Sequence, residues 1–139
     1  CTRMFSAGPL NSEWTERLDH MVEIRNAVVS SLGKGNDCSK TWEIGNLMSQ
    51  EMGYSENLMG MLPDKSYFLG HSVGLELDET PVIAKGFDRP LCVGGTMAIE
   101  PKVIFSDGCI GTEDTFVRTR DGMEYLTMGD SFPLLTDWN

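Results

Sequence analysis

The sequence of 139 residues has no run of about 18 apolar residues, so nothing in it reads as a membrane-spanning helix. Cys1, Cys38, Cys92 and Cys109 are scattered, with no CxxC pair and no dense framework. They read as buried or indifferent thiols in a reducing compartment, which points to the cytoplasm. Positive charge is scarce: 11 Lys and Arg stand against 21 Asp and Glu, a formal net charge of -10. That speaks against nucleic-acid binding, which needs a positive face. The acidic excess gives a solvated surface, and bound cations could neutralise part of it. There is no internal repeat, low-complexity tract or interdomain linker. There is also no apolar signal segment, and the chain opens Cys1-Thr2-Arg3-Met4-Phe5 without a methionine, so it reads as a piece of something longer.

What remains is ordinary for a globular domain: 40% hydrophobic and 23% charged residues, in a length that can bury one core. Residues 2–8 read as extended, followed by a turn through Gly8-Pro9. Asn11 or Ser12 can cap a first helix, and Trp14, Leu18, Met21, Val22, Val28, Val29 and Leu32 recur close to the helical period. Trp14, Leu18, Val22 and Val29 are expected to face a sheet, and Gly33 and Gly35 end the helix. Ser39 can cap a second helix with Ile44, Leu47, Met48 and Met52 on one face and Gly53 as its stop. Residues 54–66 carry no assignable pattern. After Ser66 the period shortens: Val73, Leu75 and Leu77 alternate with Gly74, Glu76 and Asp78, which predicts a strand. A connection punctuated by Pro and Gly covers 80–94. Strands are expected at Thr96–Glu100 and Val103–Phe105, then a turn at Asp107-Gly108, a long strand Cys109–Thr119, a turn at Asp121-Gly122 and a return over Glu124–Thr127. Two helices followed by a mainly antiparallel sheet, without repeated βαβ units, make the chain α+β.

The chain has two histidines. His20 lies inside the first helical pattern. His71 sits in Gly70-His71-Ser72-Val73-Gly74, where small neighbours let backbone approach closely, and a neutral imidazole suits transition metals. Glu100 closes the apolar run Met97-Ala98-Ile99 and precedes Pro101. It is either an exposed strand end or a carboxylate that needs a partner or a metal. Glu113 and Asp114 follow Gly111-Thr112, and strand alternation lets only one of them face a given cleft.

Taken in order, Gly70–Gly74, Ala98-Ile99-Glu100-Pro101 and Gly111-Thr112-Glu113-Asp114-Thr115 resemble the motifs of the pita-bread metallopeptidases, the family of Xaa-Pro dipeptidase, aminopeptidase P and methionine aminopeptidase. The resemblance covers nearly the whole chain, including Asp121-Gly122-Met123-Glu124-Tyr125-Leu126-Thr127. It implies a pita-bread α+β fold, with the helix pair packed on a curved, mainly antiparallel sheet. Residues 1–139 are then the C-terminal portion of the catalytic domain, truncated on its N-terminal side. The family holds two divalent cations on five side chains in the order Asp, Asp, His, Glu, Glu. The last three match the metal ligands His71, Glu100 and Glu113. Cys1-Thr2-Arg3 resembles the tail that follows the second aspartate, which places both aspartates upstream.

By the same resemblance, Glu113 bridges the cations, and Glu100 binds one of them and shuttles the proton of an activated water in peptide hydrolysis. The metal is Mn, Co, Zn or Fe, the substrate a proline-containing peptide cleaved at its N-terminal end, and the assembly a homodimer. With three of five ligands, the piece alone is expected to be inactive and to hold metal partially or not at all. Three positions depart from the peptidase pattern. Asp78 stands where a second histidine is usual, before the expected Glu79. Gly111 stands where proline-specific members often carry arginine, and Tyr67 where a further histidine sometimes lies. Glu79, Tyr67 and Gly111 are the expected substrate-side positions. The alternative is a pita-bread relative acting on a small non-peptide molecule, of lyase or amidinohydrolase type. Asp78 as a catalytic base would suit the lyase, while the retained His71, Glu100 and Glu113 speak against the amidinohydrolase.

Overall fold

A computed structural model describes residues 1–127 and the strand 135–137. The elements run β1 (Met4–Ser6), α1 (Ser12–Gly33), α2 (Cys38–Glu51), β2 (Phe68–Ser72), β3 (Glu79–Ala84), β4 (Thr96–Ile99), β5 (Lys102–Phe105), β6 (Gly108–Gly111), β7 (Asp114–Arg118), β8 (Met123–Tyr125) and β9 (Leu135–Asp137). A five-stranded sheet in the order β3-β2-β4-β7-β8 is antiparallel throughout, β5 and β6 form a hairpin, and β1 pairs with β9 in parallel.

Asn11 caps α1, its side chain accepting from the Trp14 amide at 3.0 Å. The buried seam is Leu18, Met21, Ile24, Arg25, Val28 and Leu32, spaced by threes and fours. The expected stripe was rotated slightly: Leu18 is buried, but Trp14, Val22 and Val29 lie at the seam's edge and are half-buried. Helix α1 packs on α2, β6 and β8, while α2 packs on β2 and β3.

Helix α2 starts earlier than expected because Asp37 is the cap, accepting from the Lys40 amide at 2.6 Å. Ser39 is buried instead and accepts from the Gly86 amide at 3.1 Å. Of the expected Ile44-Leu47-Met48-Met52 stripe on α2, Met48 and Met52 are half-buried against the core and Ile44 is half-buried. Leu47 is exposed, and the buried face is Cys38, Ser39, Thr41, Gly45 and Ser49. Small side chains win there because the layers are close. A methyl added at Gly45 would lie 2.5 Å from Leu69 Cδ1 and 3.2 Å from Val28 Cγ2.

The predicted strand over 73–78 is a bend, with β2 before it and β3 after it. Leu75 and Leu77 are exposed: among the described residues no layer covers them, so alternation had nothing to pack against. Local bonds hold the bend, with the Gly74 amide donating to Glu76 O at 3.1 Å and the Glu76 amide to Glu79 Oε1 at 2.9 Å. The long strand expected over Cys109–Thr119 is broken at Thr112-Glu113 into β6 and β7. The unassigned stretch 54–66 docks on β5, where the Met59 amide donates to Lys102 O at 2.8 Å and Asn57 Nδ2 to Ile104 O at 2.8 Å. One core joins both helices to the sheet through Leu18, Ile24 and Val28 of α1, Cys38 of α2, and Leu69, Met97 and Phe116 of the sheet.

Candidate functional site

His71 is fixed on β2, opposite Val82 of β3 and Ala98 of β4. Gly70 makes this possible: a Cβ there would meet Ala98 O at 2.2 Å, so only glycine lets β2 approach β4 this closely. The His71 side chain is 11% exposed and its Nδ1 lies 3.1 Å from Ser72 O. A proton on Nδ1 donates to that carbonyl and leaves the Nε2 lone pair facing outward. Nε2 faces Asp78 Oδ1 at 3.0 Å and Glu100 Oε1 at 3.6 Å. In that tautomer three acceptors confront one another, and a cation or a further proton is what reconciles them.

Glu100 follows β4, its amide donating to Leu69 O at 3.0 Å, and Pro101 stops the ladder. The two carboxylate oxygens have different neighbours, His71 for Oε1 and Lys102 Nζ at 2.6 Å for Oε2. Glu113 occupies the break between β6 and β7. Its backbone pairs with Thr2, and Thr2 Oγ1 donates to its Oε2 at 2.5 Å. Glu100, Glu113, Gly111, Lys102 and Thr2 together line a cavity of about 80 Å³. Alternation at 113–114 is thereby resolved: Glu113 faces this cavity, and Asp114 points into the core and is fully buried.

His71 is thus beside Glu100, and Glu100 shares a cavity with Glu113. Asp78 reaches His71 from the exposed bend, with 71% of its side chain in solvent. Glu79 lines a cavity of about 870 Å³ between Ser72–Gly74, β3 and residues 86–96; none of His71, Glu100 and Glu113 lines it. Tyr67 is exposed and borders a small separate hollow with Trp42 and Leu58, away from the carboxylates. Among the described residues, no three His, Cys, Asp or Glu side chains gather into a complete metal cage. The pair His71–Glu100 does fit a cation: ligands bound at about 2.0–2.2 Å lie within about 4 Å of each other, and 3.6 Å meets that limit.

Sequence reading missed Lys102, Thr2 and Arg25. The signal for Lys102 was its place two residues beyond Glu100. For Arg25 it was a charge on the apolar seam of α1.

Residues 1–120 match the sequence model of Peptidase_M24, metallopeptidase family M24. The chain is 28% identical over 127 residues to the Xaa-Pro dipeptidase of Pyrococcus horikoshii, covering 91% of this chain and 34% of that one. It is 29% identical over 121 residues to the Xaa-Pro dipeptidase of Lactobacillus delbrueckii subsp. lactis, covering 83% and 31%. The fold superposes on the X-Pro aminopeptidase from Thermotoga maritima with a TM-score of 0.83 at 24% identity, over 98% of this chain and 36% of the other. On the prolidase from Pyrococcus horikoshii the TM-score is 0.76 at 29% identity, over 90% and 34%. The chain spans about a third of the length of the curated relatives it matches. Family match, superposition and the antiparallel sheet under two helices agree: the chain belongs to metallopeptidase family M24 and has its pita-bread α+β fold.

Proposed function

We propose that residues 1–139 are the C-terminal portion of the catalytic domain of a metal-dependent peptidase that resembles Xaa-Pro dipeptidase and cleaves the first peptide bond of a proline-containing peptide. The observation that carries this reading is the contact of His71 Nε2 with Glu100 Oε1 at 3.6 Å, in a chain of family M24 whose Glu100 and Glu113 share one cavity. His71, Glu100 and Glu113 would hold divalent cations, Mn, Co, Zn or Fe, since imidazole with carboxylates suits all of them. Bound there, such cations supply Lewis acidity, lowering the pKa of a water and polarising the scissile carbonyl. Glu100 would serve as the general acid–base, able to accept a proton from water and hand it to the leaving amine. Ser72 O, accepting from His71 Nδ1, fixes the ring so that Nε2 points at the site. Further ligands come from outside these residues, so the 139 residues alone are inactive. The active protein is a cytoplasmic homodimer.

One observation favours a second reading. Asp78 touches His71 where a hydrogen-bond donor would serve a peptidase, and an ionised carboxylate cannot donate. A pita-bread relative acting on a small non-peptide molecule could use that aspartate as a base. The full-length protein separates the two readings. Hydrolysis of Xaa-Pro dipeptides that disappears in Glu100→Gln, and persists or rises in Asp78→His, supports the peptidase. Glu100→Gln keeping most of its activity would remove Glu100 from the mechanism. Loss of the native reaction in Asp78→His, with no dipeptide cleaved by the parent, would favour the second reading.

A further inference from the structure

We propose that Lys102 is the internal counter-ion of this site, so that a metal cation loads by exchange against its ammonium. This rests on the reading of His71 and Glu100 as ligands.

Lys102 opens β5 directly opposite Gly111 of β6. The two positions are complementary. A Cβ at Gly111 would lie 2.5 Å from Lys102 Cβ and 2.7 Å from Pro101 O, so the bare glycine makes room for the lysine stem. The backbone of Lys102 is held as well, its carbonyl accepting from the Met59 amide at 2.8 Å. From this anchored start the side chain turns back, and Nζ reaches Glu100 Oε2 at 2.6 Å, a charge-assisted contact. The Glu100 side chain is 15% exposed and that of Lys102 is 40% exposed. The carboxylate is therefore shielded from solvent, while the lysine side chain is the more open of the two.

Two effects of Lys102 on a cation at Glu100 oppose each other. By holding Oε2 the ammonium orients Oε1 toward His71, and loss of such support typically costs a ligand 10–100-fold in metal affinity. A positive charge on the same carboxylate also repels a divalent cation and competes for its electrons. Coulomb energy scales with the product of the charges, so the doubly charged ion feels this strongly at a site largely closed to water. Once bound, the cation itself takes over that orientation, because Glu100 Oε1 already lies 3.6 Å from His71 Nε2. Repulsion therefore dominates, and an ammonium that can leave for solvent is displaced when the cation arrives. The consequence is an exchangeable metal whose occupancy follows the free cation concentration.

The test uses the full-length protein, stripped by a chelator and titrated with Mn²⁺ by calorimetry, as wild type, Lys102→Met, Lys102→Arg and His71→Ala. The expected result is Mn²⁺ binding by the wild type that His71→Ala abolishes, binding at least tenfold tighter in Lys102→Met, and near-wild-type affinity in Lys102→Arg. Equal or weaker binding in Lys102→Met, with His71→Ala still abolishing it, overturns the role of Lys102 alone. Wild type and His71→Ala that bind alike, or that both fail to bind, overturn the ligand reading and this proposal together. Circular dichroism confirms folding, and Lys102→Gln, with a similar stem and no charge, repeats the comparison if the methionine variant misfolds.

Discussion

Cys38 begins α2 with its thiol fully buried, and that burial, reinforced by the neighbouring Asp37 carboxylate, pushes its pKa up to about 11. A thiol held neutral is neither a nucleophile nor a metal ligand at neutral pH. Cys1, Cys92 and Cys109 are exposed, so the scattered cysteines are not alike. Alkylation by iodoacetamide at pH 7.5 should modify those three quickly and Cys38 only on unfolding, as peptide mass mapping would show. The sign of the linkage follows. The folded pKa is raised, so the contribution of Cys38 to stability is complete below about 9 and is lost as pH rises toward about 11. Cys38→Ser should flatten that part of a stability-against-pH curve, and an unchanged slope would show that the thiol is free to ionise in the fold. None of this was legible in the sequence, where four cysteines of unknown depth look equivalent. Glu113 and Asp114 show the same limit. Alternation states that they diverge, and only the position of α1, with Arg25 behind the sheet, decides which goes inward.

At the scale of elements, local chemistry announced itself where it was short-ranged. Asn11 as a cap, glycine stops and the hairpin turns were readable because each depends on residues within one turn of the chain. Packing faces were less so. On α1 the period was visible, yet the seam also holds Ile24 and the charged Arg25, which apolar counting passes over. On α2 the apolar stripe was only partly used: Met48 and Met52 pack against the core and Leu47 is exposed, while Gly45 sits where any side chain would meet Leu69 of β2 and Val28 of α1. The two helices give opposite expectations for the same substitution. Leu18→Ala removes a buried side chain of α1 and should cost about 2–5 kcal/mol in urea unfolding. Leu47→Ala on the exposed face of α2 should stay within about 0.5 kcal/mol. Comparable costs for both would mean that α2 is turned around its axis. The bend at 74–78 failed as a strand for a related reason: periodicity reports what a segment can bury, and whether a layer arrives to cover it is decided elsewhere in the chain.

At the scale of the whole molecule, the motifs that suggested a site were legible because their short glycine- and proline-marked patterns surround His71, Glu100 and Glu113, while the scaffold behind them was not. That scaffold centres on Asp114, which is 0% exposed. Its Oδ1 accepts from Arg3 Nη2 at 2.8 Å and from Thr127 Oγ1 at 2.7 Å, and its Oδ2 from Arg25 Nη1 at 2.8 Å. One carboxylate thus ties the residues before β1, the middle of α1 and the segment after β8. Arg3 Nη1 also donates to Glu113 O at 2.9 Å, and Arg25 to Thr112 Oγ1 at 3.3 Å, so the turn presenting Glu113 is clamped from the core side. A buried charge cluster contributes little over a well-packed apolar one, but removing one member strands the others without solvent. Asp114→Ala leaves the buried guanidinium of Arg25 without its carboxylate and should cost about 3–5 kcal/mol. Adding Arg25→Met to that variant removes the more deeply buried of the two guanidiniums that Asp114 paired and keeps much of the volume, so the double variant should be more stable than Asp114→Ala alone. Denaturant unfolding of the two single variants and the double variant closes the cycle. Strictly additive losses would show that the two side chains do not act as a unit, and that α1 is joined to the turn at Glu113 by packing alone.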